Sequence, residues 1–120
     1  MPGITLFRNS ENAVAIAAGE TLFAEGDAGT EAYVIVEGEF EISHRGVVLA
    51  TVGPGDIVGE MALIDPNPRS ADCRAATAAK YVAVDQRRFT FLVQETPFFA
   101  IQVMRIMANR LRTTNEKATT

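Results

Sequence analysis

Between residues 13 and 85 the chain alternates short apolar segments with glycine-centred turns. The alternation is clearest at Glu39-Phe40-Glu41-Ile42-Ser43, where Phe40 and Ile42 fall on one face of an extended segment and the polar residues on the other. Glu37-Gly38 joins that segment to the apolar run Ala32-Tyr33-Val34-Ile35-Val36, and Arg45-Gly46 returns it into Val47-Val48-Leu49-Ala50. Residues 71–75 and 80–84 supply the last strands. Further turns are marked by Gly19-Glu20, Gly26-Asp27, Gly29 and Gly53-Pro54-Gly55-Asp56. Short strands at near-even spacing with turn residues between them predict a β-sandwich or barrel.

After Asp85 the period changes. Asp85 is the N-cap expected for a helix that turns Phe89, Leu92 and Val93 inward, and Thr96-Pro97 is a strong start for a second helix running to about Arg112. That second helix carries two apolar stripes: Phe98, Ile101, Met104, Met107 and Leu111 on one, Phe99, Val103 and Ile106 on the other. A surface helix needs one such face. Two faces predict a helix that covers the β-roll with one and meets a second copy of itself with the other; a helix buried deeply in its own domain is the competing explanation. The tail from Thr113 is polar and is expected to fray. Residues 1–12 carry little pattern.

The chain has 120 residues, 48% of them hydrophobic, enough for one domain with a real core. No run of about 20 apolar residues is present, nor an apolar stretch behind a basic start, so neither a membrane span nor a secretory leader is expected and the cytoplasm is the default location. The net charge of -4 is the wrong sign for a protein living on nucleic-acid phosphates. One cysteine, Cys73, excludes an internal disulfide, and one histidine, His44, leaves too few ligands for a typical zinc or haem site. Cys73 falls in an apparent strand, as a small core residue; His44 falls in a hairpin turn, as a solvated one. Neither a metal nor a cofactor is expected. There is no Ser/His/acid trio and no Walker loop. A jelly-roll metal enzyme would need several histidines, so the sequence reads as a non-enzyme.

The candidate chemistry is concentrated in Gly55-Asp56-Ile57-Val58-Gly59-Glu60-Met61-Ala62-Leu63-Ile64 and Pro68-Arg69-Ser70-Ala71. Backbone N–H groups at a helix start hold an anion, an arginine fork neutralises it, and a carboxylate accepts sugar hydroxyls. Gly59, without a Cβ, allows backbone to approach a ligand, or simply makes a positive-φ turn. Glu60 is a ribose acceptor or a favourable acid at a helix start. Arg69 is a phosphate partner or a solvated surface residue, and Ser70 a second phosphate donor or a loop end. Pro66 and Pro68 stiffen the connection between the two halves.

Gly59-Glu60-Met61-Ala62-Leu63 and Arg69-Ser70-Ala71 resemble the phosphate-binding cassette of the cyclic-nucleotide-binding domain family. Gly19-Glu20, Glu25-Gly26-Asp27, Val36-Glu37-Gly38 and Gly53-Pro54-Gly55-Asp56 fall where that family has its glycine turns. Met107-Ala108-Asn109-Arg110-Leu111 and Thr114-Asn115-Glu116-Lys117 resemble the dimer helix of its bacterial cyclic-AMP receptor branch. The resemblance implies a mainly-β fold, an eight-stranded jelly-roll β-barrel over residues 13–85, with flanking C-terminal helices over 86–116 and a tail over 117–120. It implies a ligand-binding set of Gly59, Glu60, Met61, Ala62, Arg69, Ser70, Ala71, Arg110 and Thr114. Gly59 and Glu60 would serve the ribose, Arg69 and Ser70 the cyclic phosphate, and Arg110 and Thr114 would approach from the helix, Thr114 toward the base. Asn115 stands where the receptor branch has a serine.

Ser70 and Thr114 resemble the cyclic-AMP pattern, so cyclic AMP is expected over cyclic GMP. No helix-turn-helix follows the dimer helix, so no DNA binding by this chain is expected. The implied function is a stand-alone regulatory module that signals through its C-terminal helix to a homodimer mate or an unidentified effector protein. The alternative is an assembly module whose nucleotide pocket has lost its ligand.

Overall fold

The computed structural model describes Ile4, Phe7, Ser10, residues 12–65 and residues 67–119, with the side chains of 113–119 left out of the description. Among these residues eight strands form two four-stranded antiparallel sheets: β1 (Val14–Ile16), β8 (Ala79–Asp85), β3 (Glu31–Glu37) and β6 (Ile57–Val58) in one, β2 (Thr21–Phe23), β7 (Asp72–Ala75), β4 (Phe40–His44) and β5 (Val47–Val52) in the other. This is the expected jelly-roll, followed by α1 (Gln86–Glu95) and α2 (Pro97–Thr119).

The central strands β3 and β8 explain why the fold closes as it does. They pair from Glu31 opposite Asp85 to Glu37 opposite Lys80, with an irregularity between Ile35 and Glu37. Both faces of β3 are covered. Ala32 and Val34 join Val82, Val84, Ile57, Leu63, Phe99 and Val103 in a core between the first sheet and the helices, with Val36 packed at its margin. Ile35 faces the other way, into the space between the sheets with Phe40, Val52, Val58, Cys73, Ala75 and Ala79, and Tyr33 packs against that cluster. A strand buried on both faces reads as a continuous apolar run rather than an alternating one, and Ala32–Val36 is that run. The inner strand β4, paired with β7 and β5, keeps the alternation, burying Phe40 and turning Ile42 partly inward.

The turns use glycine where the backbone enters the left-handed region, as at Gly38 and Gly59 (φ 81° and 71°). At Gly38 no other residue fits, since a Cβ would lie 2.4 Å from the Ala78 carbonyl oxygen. Asp85 caps α1 as its position predicts, its carboxylate accepting the Arg88 N–H at 2.7 Å. Helix α2 begins at Pro97 but continues past Arg112 to Thr119. The polar letters beyond Arg112 include neither glycine nor proline, so nothing in them obliges the backbone to stop. The opening residues, which show no periodicity, supply Ile4 and Phe7 to the helix-side core; the Ile4 N–H donates to the Gly55 carbonyl at 2.7 Å, and Phe7 meets Phe99 edge-on.

Candidate functional site

Gly59 ends β6 and starts a short 3₁₀ turn, Glu60–Leu63. Its left-handed backbone lets the chain reverse out of the sheet, and the first N–H groups of such a turn have no partner within it. Leu63 anchors the turn by burial in the helix-side core, while Met61 stays exposed. The turn is thereby held at the mouth between the β-roll and α2.

The second half of the site is stitched to a different loop. The Arg69 N–H donates to the Asp27 carbonyl at 2.9 Å, and the Gly26 N–H donates to the Arg69 carbonyl at 2.8 Å. Three residues on, the Asp72 carboxylate accepts the Glu25 N–H at 2.8 Å. Residues 25–31 therefore back the Arg69 segment from behind the cavity, a role their sequence signals only as turns.

The Arg69 side chain is 8% exposed and turned inward. Its NH2 group donates to the Glu31 carbonyl at 2.8 Å and its NH1 group to the Gly59 carbonyl at 3.4 Å. The guanidinium carbon lies 4.5 Å from the Phe23 ring centroid and 5.6 Å from that of Tyr33. A cation so enclosed is held by carbonyl dipoles and ring faces in place of water. Its Nε makes no hydrogen bond among the described residues, so one buried donor is unmet. Burial pushes the Tyr33 phenol above its ordinary 10, and the neighbouring Arg69 charge pulls against that rise.

Across the mouth, Arg110 of α2 reaches Glu60 with an N–O distance of 2.8 Å; Glu60 is 12% and Arg110 28% exposed at the side chain. Arg69, Gly59, Glu60, Met61, Ala62, Ser70, Ala71 and Arg110 all line one cavity of about 410 Å³, whose apolar walls include Phe23, Ile42 and Leu49. Glu60, Met61 and Arg110 also border a cleft of about 390 Å³ closed by Met107, Ala108 and Leu111 of α2. These sizes lie within the range of small-molecule sites. Eight of the nine residues singled out in the sequence thus converge; the ninth, Thr114, lies outside the described side chains, as does Asn115. Phe23, Tyr33, Gly29 and the Glu31 carbonyl are the contributors that the sequence pattern does not mark. Pro66, also named above, lies outside the described residues.

Comparison with known proteins decides the family. The profile of the cyclic nucleotide-binding domain matches residues 13–96. The chain belongs to that family. This cyclic nucleotide-binding domain is 33% identical over 102 residues to the CRP-like cAMP-activated global transcriptional regulator of Mycobacterium tuberculosis, covering 81% of the chain and 46% of the regulator. It therefore spans about half the length of that relative. It is also similar to the N-terminal domain of a transcriptional regulator from Streptomyces coelicolor, with 37% identity, a TM-score of 0.66, and 92% and 81% of the two chains covered. A third similarity is to a structure solved for a cyclic-GMP-dependent signalling pathway regulating bacterial phytopathogenesis, at 25% identity and a TM-score of 0.76, covering 94% and 98% of the two chains.

Among the described residues no group of three or more His, Cys, Asp or Glu side chains could hold a metal ion. No described helix is long and apolar enough to cross a membrane. His44 does not stand free in its turn: it ends β4, with Nδ1 3.5 Å from a Glu25 carboxylate oxygen.

Proposed function

We propose that this cyclic nucleotide-binding domain is a cytoplasmic, non-catalytic sensor of cyclic AMP whose occupancy is reported by α2. The observation that carries the reading is the convergence of Arg69, Glu60 and Arg110 on one open cavity beside that helix. A cyclic phosphodiester seated there would be neutralised by the Arg69 guanidinium that lines the cavity, with Ser70 as a second donor. The ribose hydroxyls would meet the Glu60 carboxylate, and the apolar surface toward Met61 and Leu111 would cover the base. Ser70 beside the arginine supports cyclic AMP over cyclic GMP, as does the activation of the mycobacterial relative by cyclic AMP. Cyclic GMP remains the comparison ligand, because another relative belongs to a cyclic-GMP pathway.

The signal route follows from the ion pair. Ligand hydroxyls arriving at Glu60 compete for the carboxylate that Arg110 holds, so occupancy and the position of α2 are coupled through one contact. The outward stripe of α2 then meets a second copy or an effector protein.

The test is a calorimetric titration of cyclic AMP and cyclic GMP into the wild type and Arg69→Ala. Wild type should bind cyclic AMP more tightly than cyclic GMP. Losing the guanidinium should weaken binding by on the order of 1.5–3 kcal/mol, one charge-assisted contact. Absence of heat with either nucleotide at millimolar concentration would leave assembly, not sensing, as the function.

A further inference from the structure

We infer that Gly29 is a positioning residue for nucleotide binding, because the space where its side chain would be is the seat of the Arg69 guanidinium. A Cβ built on Gly29 would lie 2.1 Å from Arg69 Nε, 2.3 Å from Cζ and 2.6 Å from NH2. Those distances lie far inside van der Waals contact, so the smallest side chain and this arginine pose exclude one another. The clash is with the charged end of the arginine, not with backbone.

Gly29 differs in kind from the other glycines of the site region. Gly26 and Gly59 have positive φ, where any L-residue is strained whatever surrounds it. The φ of Gly29 lies outside that region, so alanine meets no backbone penalty there. Backbone conformation leaves the residue free to be alanine; the guanidinium does not. The seat is closed by independent contacts: the Glu31 carbonyl two residues on accepts from NH2, the Gly59 carbonyl from NH1, and the Phe23 ring lies across the cation. The loop is pinned against the arginine's own backbone by the Gly26 and Asp27 hydrogen bonds, so it is not free to swing away.

The consequence for recognition rests on the reading of this cavity as a nucleotide site. Filling the seat pushes the guanidinium off both carbonyls, and the phosphate loses a pre-oriented donor although Arg69 is still present. The experiment is a mutant cycle of wild type, Gly29→Ala, Arg69→Ala and the double variant, read by thermal melting without ligand and by calorimetry with cyclic AMP. Gly29→Ala should bind cyclic AMP at least about tenfold more weakly, approaching the loss of the arginine contact itself. It should also lower the melting temperature in the wild-type background and leave it unchanged in the Arg69→Ala background, where nothing occupies the seat. An undiminished affinity in Gly29→Ala, or a melting loss that persists without the arginine, overturns the inference. The ligand-free melting cycle stands even if wild type binds no nucleotide, so failure of the sensing function and failure of the seat are read separately.

Discussion

Two buried residues of opposite character, Arg69 and Cys73, are treated differently by the fold. Around the Arg69 guanidinium, carbonyl oxygens and ring faces take the place of water. Cys73, fully buried between the sheets, has no such compensation for a thiolate, and burial pushes its thiol from about 9.0 up to about 12 against the pull of Arg110 and Arg69. In the unfolded chain the thiol ionises near its ordinary value. Between those values the folded state holds a proton that the unfolded state has released, so stability is complete below about pH 9 and declines as pH rises toward 12, by up to about 1.4 kcal/mol per pH unit. Denaturant melts at pH 8, 9.5 and 10.5 should show this slope in wild type and a shallower one in Cys73→Ala. Parallel slopes would mean that the thiol contributes nothing to the alkaline loss.

At the scale of the element, α2 divides its apolar residues into two populations. Phe99 and Val103 are buried, with Ile106 and Met107 packed beside them, whereas Phe98, Ile101, Met104 and Leu111 are 50%, 43%, 58% and 62% exposed. The two stripes were legible as letters because a helix repeats every 3.6 residues. Of the wider stripe, Met107 alone turns out to pack on the core, since its position on the axis lies nearest the buried face. The strands were legible for the same reason, a period of two at β4 and a doubly covered run at β3. What could not be read was how Arg69 lies: its pose is decided by Phe23, Gly29 and Glu31, some forty positions earlier in the chain, and by a vacancy rather than by a side chain. Ile4 and Phe7 escaped for a related reason, since isolated apolar letters have no period until a core receives them. The division of α2 separates two measurements. Phe99→Ala should destabilise the fold by about 3–5 kcal/mol, the usual cost of emptying an aromatic core site. Ile101→Glu with Met104→Glu should leave stability nearly unchanged while abolishing any dimer seen by light scattering; a variant that melts early at unchanged mass would assign that face to the interior.

For the whole molecule, the decisive feature is that the two cores are continuous through shared strands while the site touches both. β6 sends Ile57 to the helix-side core and Val58 to the space between the sheets, then leads directly into Gly59. Leu63, at the far end of the same turn, sits in the helix-side core against which Phe99 and Val103 of α2 also pack. A ligand gripping the turn therefore restrains both layers. The Glu60–Arg110 pair is a direct polar tie from turn to helix. Because a ligand that binds only the folded state adds RT ln(1 + [L]/Kd), cyclic AMP at a hundred times its Kd should add about 2.7 kcal/mol to the stability. For a domain of this size that corresponds to a rise in Tm on the order of 10 °C. Global stabilisation of that kind does not require the tie; transmission to the helix does. Hydrogen exchange followed with and without cyclic AMP separates the two. In wild type, protection should increase both in residues 59–63 and along α2 around Arg110. In Arg110→Ala, at a ligand concentration raised to keep the site full, protection of the turn should persist while the added protection around position 110 disappears. If α2 gains protection equally in both proteins, occupancy is communicated through Leu63 and the shared core, and the ion pair is a consequence of the packing instead of its messenger.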